Sequence, residues 1–527
     1  MRSSIRRNLF RAWAAARVAQ FARATRDPRR AQRAALRTVL QATAGSEYGR
    51  AHGLNSRLDY DAFAARVPVV DYEDLRPWIE EQARTGRPML TVDAPIVYEA
   101  TSGSTGRRKL VPYTREMLQT FSDWFLLWSD DLLASGPGLC TSKIFLSISP
   151  ALRAQESTAS GVPISFPDDT GFLSPMLRRS WARSFFMPPA LGGILDPSAY
   201  RRSLAALLLA EPDLEVVFIW SPTYLLSLLD FVSAERDAIL ADFARGFTGT
   251  AKVQLALPPL TPSRRLLLLR DPIPWQLLWP GLQVISCWAD ASAASFAGAL
   301  ARMFPAASLQ PKGLLATEAA ITLPLWNAPG PVPCVDSVFL EFERADGTLA
   351  LAHELEDAAR YAVIVSQPGG LLRYRMHDRV TVSGHHRALP CLRFAGRDNQ
   401  VGDLAGEKLG EPFVRSVLEE LFGRDAEWSY LEQVVPTRGP AFYRAVSDAP
   451  AAREQPDELA HRLDVALSRA SHYAYARALG QLGHTRVRWT LSARREYETA
   501  CLDGGALWGG IKFGALLPSY GQCAHSA

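Results

Sequence analysis

Thr101-Ser-Gly-Ser-Thr-Gly-Arg-Arg-Lys109 places four hydroxyls, two glycines and three cations in nine consecutive residues. A packed core has no use for such a run, and a polyphosphate does. Glycine lets the backbone approach a ligand closely and reach positive φ, so that successive N–H groups converge on phosphate oxygens. Hydroxyls add short donors, and the Lys109 ammonium makes charge-assisted bonds about twice as strong as neutral ones. The run lacks the Gly-x-x-x-x-Gly-Lys-Ser/Thr order of nucleoside-triphosphatases, because Arg107 and Arg108 separate Gly106 from the lysine. Before it, Ala94-Pro-Ile-Val-Tyr98 reads as a strand; after it, Tyr113-Thr-Arg-Glu-Met-Leu118 reads as the start of a helix. A phosphate loop between strand and helix predicts layered α/β architecture.

The 527 residues exceed one hydrophobic core, so two or more domains are expected. The composition, 48% hydrophobic and 21% charged, is that of a globular enzyme. The net charge of +4 is small and spread out, which argues against a nucleic-acid partner. No membrane segment is expected, since Asp123, Asp130 and Asp131 interrupt the apolar stretch from Thr120 to Gly138. The first 37 residues set eleven arginines among alanines, which predicts amphipathic helices packed on the main domain with the arginines outward. Six scattered cysteines form no metal-type pair and suit a reducing cytoplasm.

Helical patterns fill the first 85 residues. Apolar runs at Lys143–Ser149, Leu214–Trp220, Leu282–Trp288 and Val335–Phe342 then read as strands, with helix-length segments such as Pro222–Ala244 and Ala291–Phe304 among them. From Val338 to Phe394 short strands and glycine turns suggest a small antiparallel or barrel-like sheet. The polar, glycine-dotted stretch that begins at Gly396 reads as a hinge. Beyond it come a helix at Glu411–Leu421, a strand at Trp428–Val435, a long helix at Pro456–Leu479 and a strand at Arg486–Leu491. The expected organisation is a large N-terminal α/β domain over 1–395 with a barrel-like subdomain, a hinge over 396–410, and a small, mobile α+β domain over 411–527.

Four stations follow the phosphate loop. Leu315-Ala-Thr-Glu318 offers a carboxylate suited to magnesium or to the vicinity of an α-phosphate. Arg373-Tyr-Arg-Met-His-Asp378 offers a carboxylate for two ribose hydroxyls, flanked by cations. Gly396-Arg397-Asp398 opens the hinge, and Ile511-Lys512 sets a lone lysine near the C-terminus. Singly, each is an ordinary solvated residue; together, their order is specific.

That order resembles the adenylate-forming superfamily, and within it the auxin-responsive (Gretchen Hagen) acyl acid amido synthetases and their bacterial relatives. The stretches Tyr48-Gly-Arg-Ala-His-Gly-Leu54, Lys312-Gly-Leu-Leu-Ala-Thr-Glu318 and His472-Tyr-Ala-Tyr-Ala-Arg477 point to the same branch. The resemblance runs from about residue 40 to about residue 518. It implies a luciferase-like fold and a two-step ligase. A carboxylic acid attacks the α-phosphate of ATP with Mg2+ present, releasing pyrophosphate, and an amino acid or other amine then takes the acyl group to give an amide and AMP.

The implied nucleotide-binding residues are Thr101, Ser102, Gly103, Ser104, Thr105, Gly106, Thr317, Tyr374, Arg375, Asp378 and Arg397. Lys109, Glu318 and Lys512 have the catalytic roles, with Glu318 also holding the metal. Trp220, Tyr224, Trp288 and Phe339 are candidate walls of the acyl site. The family commonly has glycine where this chain has His377, a side chain that either faces outward or crowds the nucleotide. The same residues also fit an acyl-coenzyme A ligase and a catalytically silent nucleotide-binding protein. A cytoplasmic monomer or weak homodimer is expected.

Overall fold

The computed structural model describes residues 2–101, 109–141, 143–146, 156–166, 169–182, 184–397, 401–402, 404–405, 407, 409–423, 428–436, 439–504, 506, 508 and 511–517. The fold is mixed α/β. Its central sheet is four-stranded and parallel, in the spatial order Ser308–Pro311, Val284–Cys287, Leu214–Phe218 and Lys143–Leu146. All residues of Leu214–Phe218 and Val284–Cys287 are buried, as expected of parallel strands covered on both faces. The helices Pro197–Ala210, Pro222–Ala234 and Ala294–Met303 pack in the same core. The segment expected as one helix from Pro222 to Ala244 is two, because Glu235 takes a non-helical conformation between Ala234 and Arg236.

The quoted run is flanked by two strands, not by a strand and a helix. Val97–Thr101 pairs antiparallel with Lys109–Tyr113, so Lys109 opens the second strand. The helix Arg115–Ser135 begins only after Thr114, whose side chain accepts the Met117 N–H at 3.2 Å as an N-cap. Residues 102–108 lie outside the described residues, so Ser102, Gly103, Ser104, Thr105 and Gly106 have no structural account.

The barrel-like sheet has five antiparallel strands in the order Leu349–Leu351, Phe339–Glu343, Arg360–Ser366, Tyr374–His386 and Leu389–Arg397. Its register shifts between Ala362 and Ile364 and again between Arg379 and Val380. His377 sits in this irregular stretch at φ +61°, a left-handed conformation that glycine adopts freely and a side chain resists. That explains why glycine suits the position. The last strand continues through Arg397, two residues beyond the expected domain edge.

The C-terminal region builds a three-stranded sheet, Tyr430–Val434, Phe442–Ser447 and Arg486–Trp489, with the helices Glu411–Phe422, Pro456–Leu467 and Ser471–Ala478 in its own apolar core. The expected long helix from Pro456 to Leu479 is broken at Ser468–Ala470. The break brings Tyr473 and Arg477 back onto Asp464, at 2.6 Å and 2.8 Å. A second set of C-terminal side chains, Tyr430, Tyr497, Trp508 and Phe513 among them, joins the core of the parallel sheet.

The N-terminal helix Arg2–Ala24 overturns the expectation of outward arginines at one position. Arg17 turns inward and bonds Asp123 at 2.5 Å and Asp336 at 2.7 Å, while Arg11 reaches Asp130 at 3.3 Å. Two of the acids that interrupt the apolar run after Thr120 thus take up arginines of this helix.

Candidate functional site

A cavity of about 640 Å³ opens where the parallel sheet, the barrel-like sheet and the C-terminal region meet. It is lined by Ser221, Thr223, Trp288, Ala289, Asp290, Phe296, Gly313 to Ala316, Asp378, Phe394, Arg397, Lys512 and Phe513. The ends of parallel strands supply one wall: Ser221 and Thr223 follow Leu214–Phe218, and Trp288 to Asp290 follow Val284–Cys287. Ligands of α/β sheets are expected in this position, past the carboxyl ends of the strands.

Asp378 is buried, and both its oxygens face Arg397. The Arg397 Nε donates to Oδ1, and Nη2 lies 3.4 Å from Oδ2. The Asp378 carboxylate raises the Arg397 pKa against the opposing effect of burial, with Glu318 adding to it, so the guanidinium stays charged. This fork-to-fork pair forms because the two residues are cross-strand neighbours in the barrel-like sheet.

Lys512 lines the cavity with its side chain exposed there and the surrounding protein packed closely around it. Burial, helped by the positive charge of Arg397, lowers its pKa to about 8. Its ammonium stands 4.1 Å from the centre of the Trp288 ring. The backbone beside it is held by Tyr497, whose hydroxyl donates to the Lys512 carbonyl at 3.0 Å and accepts the Gly514 N–H at 3.0 Å.

Glu318 carries the electrostatics between the stations. Its charge acts on Lys109, Tyr113, Tyr374, Arg397 and Lys512. The buried Tyr113 hydroxyl donates to the Thr317 carbonyl, which ties the turn before Glu318 to the strand that begins with Lys109. Lys109 is half-buried, 5.2 Å from the centre of the Tyr72 ring, and burial lowers its pKa. Tyr374 is buried beside them, with its pKa raised by burial and then by Glu318.

Several expectations are corrected. Of the residues expected around the nucleotide, Asp378, Arg397 and Lys512 line the cavity, whereas Lys109, Thr317, Glu318, Tyr374 and Arg375 do not; Arg375 pairs with Glu343 at 2.8 Å, while Tyr374 and Asp378 are the buried members of the strand. His377, for which facing outward and crowding the nucleotide were both open, points to Asp71, 3.1 Å away, and does not line the cavity. Of the aromatic walls, Trp288 lines the cavity and Trp220 stands behind it, with ring centres 5.9 Å apart. Tyr224 packs against Trp508 at 4.7 Å in the sheet core. Phe339 lies elsewhere, in the barrel-side core against Tyr60 and Phe63, because its strand turns that face inward.

Sequence reading missed Asp290, Ser221 and Thr223. Each directly follows a strand or opens a helix and looks like ordinary turn chemistry. It also missed a second, apolar cavity of about 310 Å³, walled by Phe125, Trp128, Trp181 and Phe218. Among the described residues, no three His, Cys, Asp or Glu side chains gather as a metal cage. No helix of the described residues is long and apolar enough to cross a membrane.

Comparison with known proteins bears on these features. A probable indole-3-acetic acid-amido synthetase of Oryza sativa subsp. japonica is 25% identical over 441 residues, which span 74% of this chain and 69% of the relative. The solved structure of an acyl acid amido synthetase in complex with 2,4-DB superimposes with a TM-score of 0.78 at 18% identity, covering 95% of this chain and 94% of the other. A 2-hydroxyisobutyryl-CoA ligase in the postadenylation state gives a TM-score of 0.50 at 13% identity, over 87% and 85% of the two chains. The fold is therefore shared with adenylate-forming ligases. Residues 17–309 match the GH3 family N-terminal domain and residues 332–397 the GH3 family central domain, so the chain belongs to the GH3 family.

Proposed function

We propose that the chain is an ATP-dependent ligase that joins a carboxylic acid to an amino acid or other amine. The carboxylate attacks the α-phosphorus of ATP and expels pyrophosphate. The amine then attacks the acyl carbon of the adenylate, giving an amide and AMP. The observation that carries this reading is the convergence of Asp378, Arg397 and Lys512 on one cavity, with Glu318 and Lys109 within electrostatic reach of them. Family membership supports it.

The first step needs charge neutralisation more than a protein nucleophile, because the acid is already an anion. Lys109 and the Thr101–Gly106 run hold the terminal phosphates. Asp378 takes the ribose hydroxyls, and Tyr374 packs beside the nucleoside. Arg397 holds Asp378 in place through its two contacts with the carboxylate. Lys512 bridges the acid's carboxylate and the α-phosphate, offsetting the charge that builds as they approach. Magnesium fits a site of this kind, since it binds through one or two carboxylates plus substrate phosphates and needs no dedicated cage. Glu318 would hold it, and when bound it neutralises phosphate charge. The walls Trp288, Phe296, Leu314 and Phe394 favour an acid with an aromatic or branched apolar body. The small C-terminal region over 411–527 turns about the 396–410 segment between the two steps, moving Lys512 in and out.

The test is pyrophosphate release from ATP and magnesium across a panel of aromatic, indolic and aliphatic acids, with pooled amino acids or coenzyme A as acceptor. Amide and AMP in the amino-acid arm support the reading. A thioester in its place would assign the enzyme to the acyl-coenzyme A ligases, and ATP binding without turnover would make it a silent nucleotide-binding protein.

A further inference from the structure

A protonated amine has no lone pair to attack with. On the ligase reading, on which this inference rests, the acceptor enters as an ammonium ion and loses one proton before attack. The C–N bond then forms, the acyl carbon–oxygen bond to the phosphate breaks, and AMP leaves with that electron pair. A second proton goes to water as the tetrahedral adduct collapses. The cavity therefore has to supply a site that attracts a cation and takes its first proton.

We propose that Asp290 is that site: a catalytic carboxylate that captures the acceptor as its ammonium ion and receives the proton that frees the lone pair. Among the described lining residues only Asp290 and Asp378 are carboxylates. Asp378 has both oxygens directed at Arg397. Lys512 and Arg397 are cations and would repel an ammonium ion. The hydroxyls of Ser221 and Thr223 bond each other at 2.6 Å and are far too weakly basic. Glu318 belongs to the phosphate end, within reach of Lys109 and Arg397.

Asp290 is differently placed. It forms no ion pair among the described residues, and its carboxylate takes the backbone N–H of Phe394, another lining residue. It precedes the short turn Ala291–Ala293 without capping it through its side chain. Ala291 follows at φ +49°, a conformation unfavourable for a side-chain-bearing residue and of the kind that gathers at functional sites. The small side chains of Ala289 and Ala293 flank Asp290 in the lining and leave room for a ligand. The charged groups that bear on it are Arg393 behind, and Arg397, Asp378 and Lys512 across the same cavity. Burial raises its pKa, with Arg393 opposing, which is the direction a proton acceptor needs.

Hydroxylamine separates this role from a structural one, because its nitrogen is unprotonated at neutral pH and needs no base. Asp290→Asn keeps an oxygen for the Phe394 N–H. With ATP, magnesium and an accepted acid, each enzyme is given either pooled amino acids or hydroxylamine, and amide and hydroxamate are measured. The expected result is a rise of about 100-fold in the ratio of hydroxamate to amide formation in the variant, the size of a lost general base. Its amide rate should also climb with pH as free amine accumulates, and Asp290→Glu should recover part of the amide rate. Equal losses with both acceptors, or an unchanged ratio, would overturn the assignment. A wild-type enzyme that releases no pyrophosphate with any acid fails at the earlier step and overturns the ligase reading and Asp290 with it.

Discussion

The two carboxylates of the cavity stand in opposite surroundings. At the barrel side, Asp378 is buried and locked to a guanidinium from the neighbouring strand. At the sheet side, Asp290 is half-buried, accepts one backbone N–H and forms no ion pair among the described residues, though the charge of Arg393 acts on it. A carboxylate bound on both oxygens is fixed in position, which suits holding a ligand. One with spare acceptor capacity and a raised pKa is suited to changing its proton. On the proposed reading, the same residue type serves two ends of one site because the elements behind it differ.

The largest effect that sharpens this contrast concerns Lys512, which lines the same cavity. Lys512→Ala should reduce pyrophosphate release by about 10²- to 10³-fold, the scale of a lost transition-state donor. Consumption of a supplied acyl-adenylate should fall far less, and equal losses in both half-reactions would remove Lys512 from the first step.

Next comes the barrel end. Asp378→Ala leaves the Arg397 charge without its partner, so nucleotide affinity should drop at least tenfold in calorimetry. Stability should fall by about 2 kcal/mol in denaturant titration, allowing for the partial exposure of the guanidinium. An unchanged ATP affinity would break the comparison at its fixed end.

The pH dependence of Lys512 gives a third check. On the proposed mechanism its charged form is the active one, and burial lowers its pKa to about 8, so pyrophosphate release should decline as pH rises through about 8. Lys512→Arg should move that decline out of range. The sign for stability is the reverse. The folded state disfavours the ammonium, so this group's contribution is present above the unfolded lysine value and is lost as pH falls through about 8.

The smallest effect is at His377. Glycine there relieves a left-handed backbone but gives up the contact with Asp71 and adds chain entropy, so His377→Gly should change stability by no more than about 1 kcal/mol. ATP affinity should stay constant; a rise would mean that the imidazole crowds the nucleotide after all.

Much of this was legible in the chain because it depends on local pattern. Apolar runs such as Leu214–Phe218 and Val284–Cys287 are strands of a covered parallel sheet, and that pattern survives in one dimension. Asp378, Arg397 and Lys512, singled out by residue type and order, line one cavity. Asp290 was not, since one aspartate after a strand looks like any turn residue until the sheet shows what it faces. Arg17 was misread because the partners that draw it inward, Asp123 and Asp336, lie 106 and 319 residues away. The break after Leu467 was hidden for a similar reason: continuous helical periodicity does not reveal that Asp464 gains Tyr473 and Arg477 when the helix stops.

The position of Lys512 over Trp288 also makes the molecule its own optical probe. A cation 4.1 Å from an indole perturbs that ring's excited state, so withdrawing the lysine changes the colour and yield of its emission. The signal of Trp288, isolated as the difference between wild type and Trp288→Phe, would report any movement of Lys512 away from the ring in real time, without any attached dye.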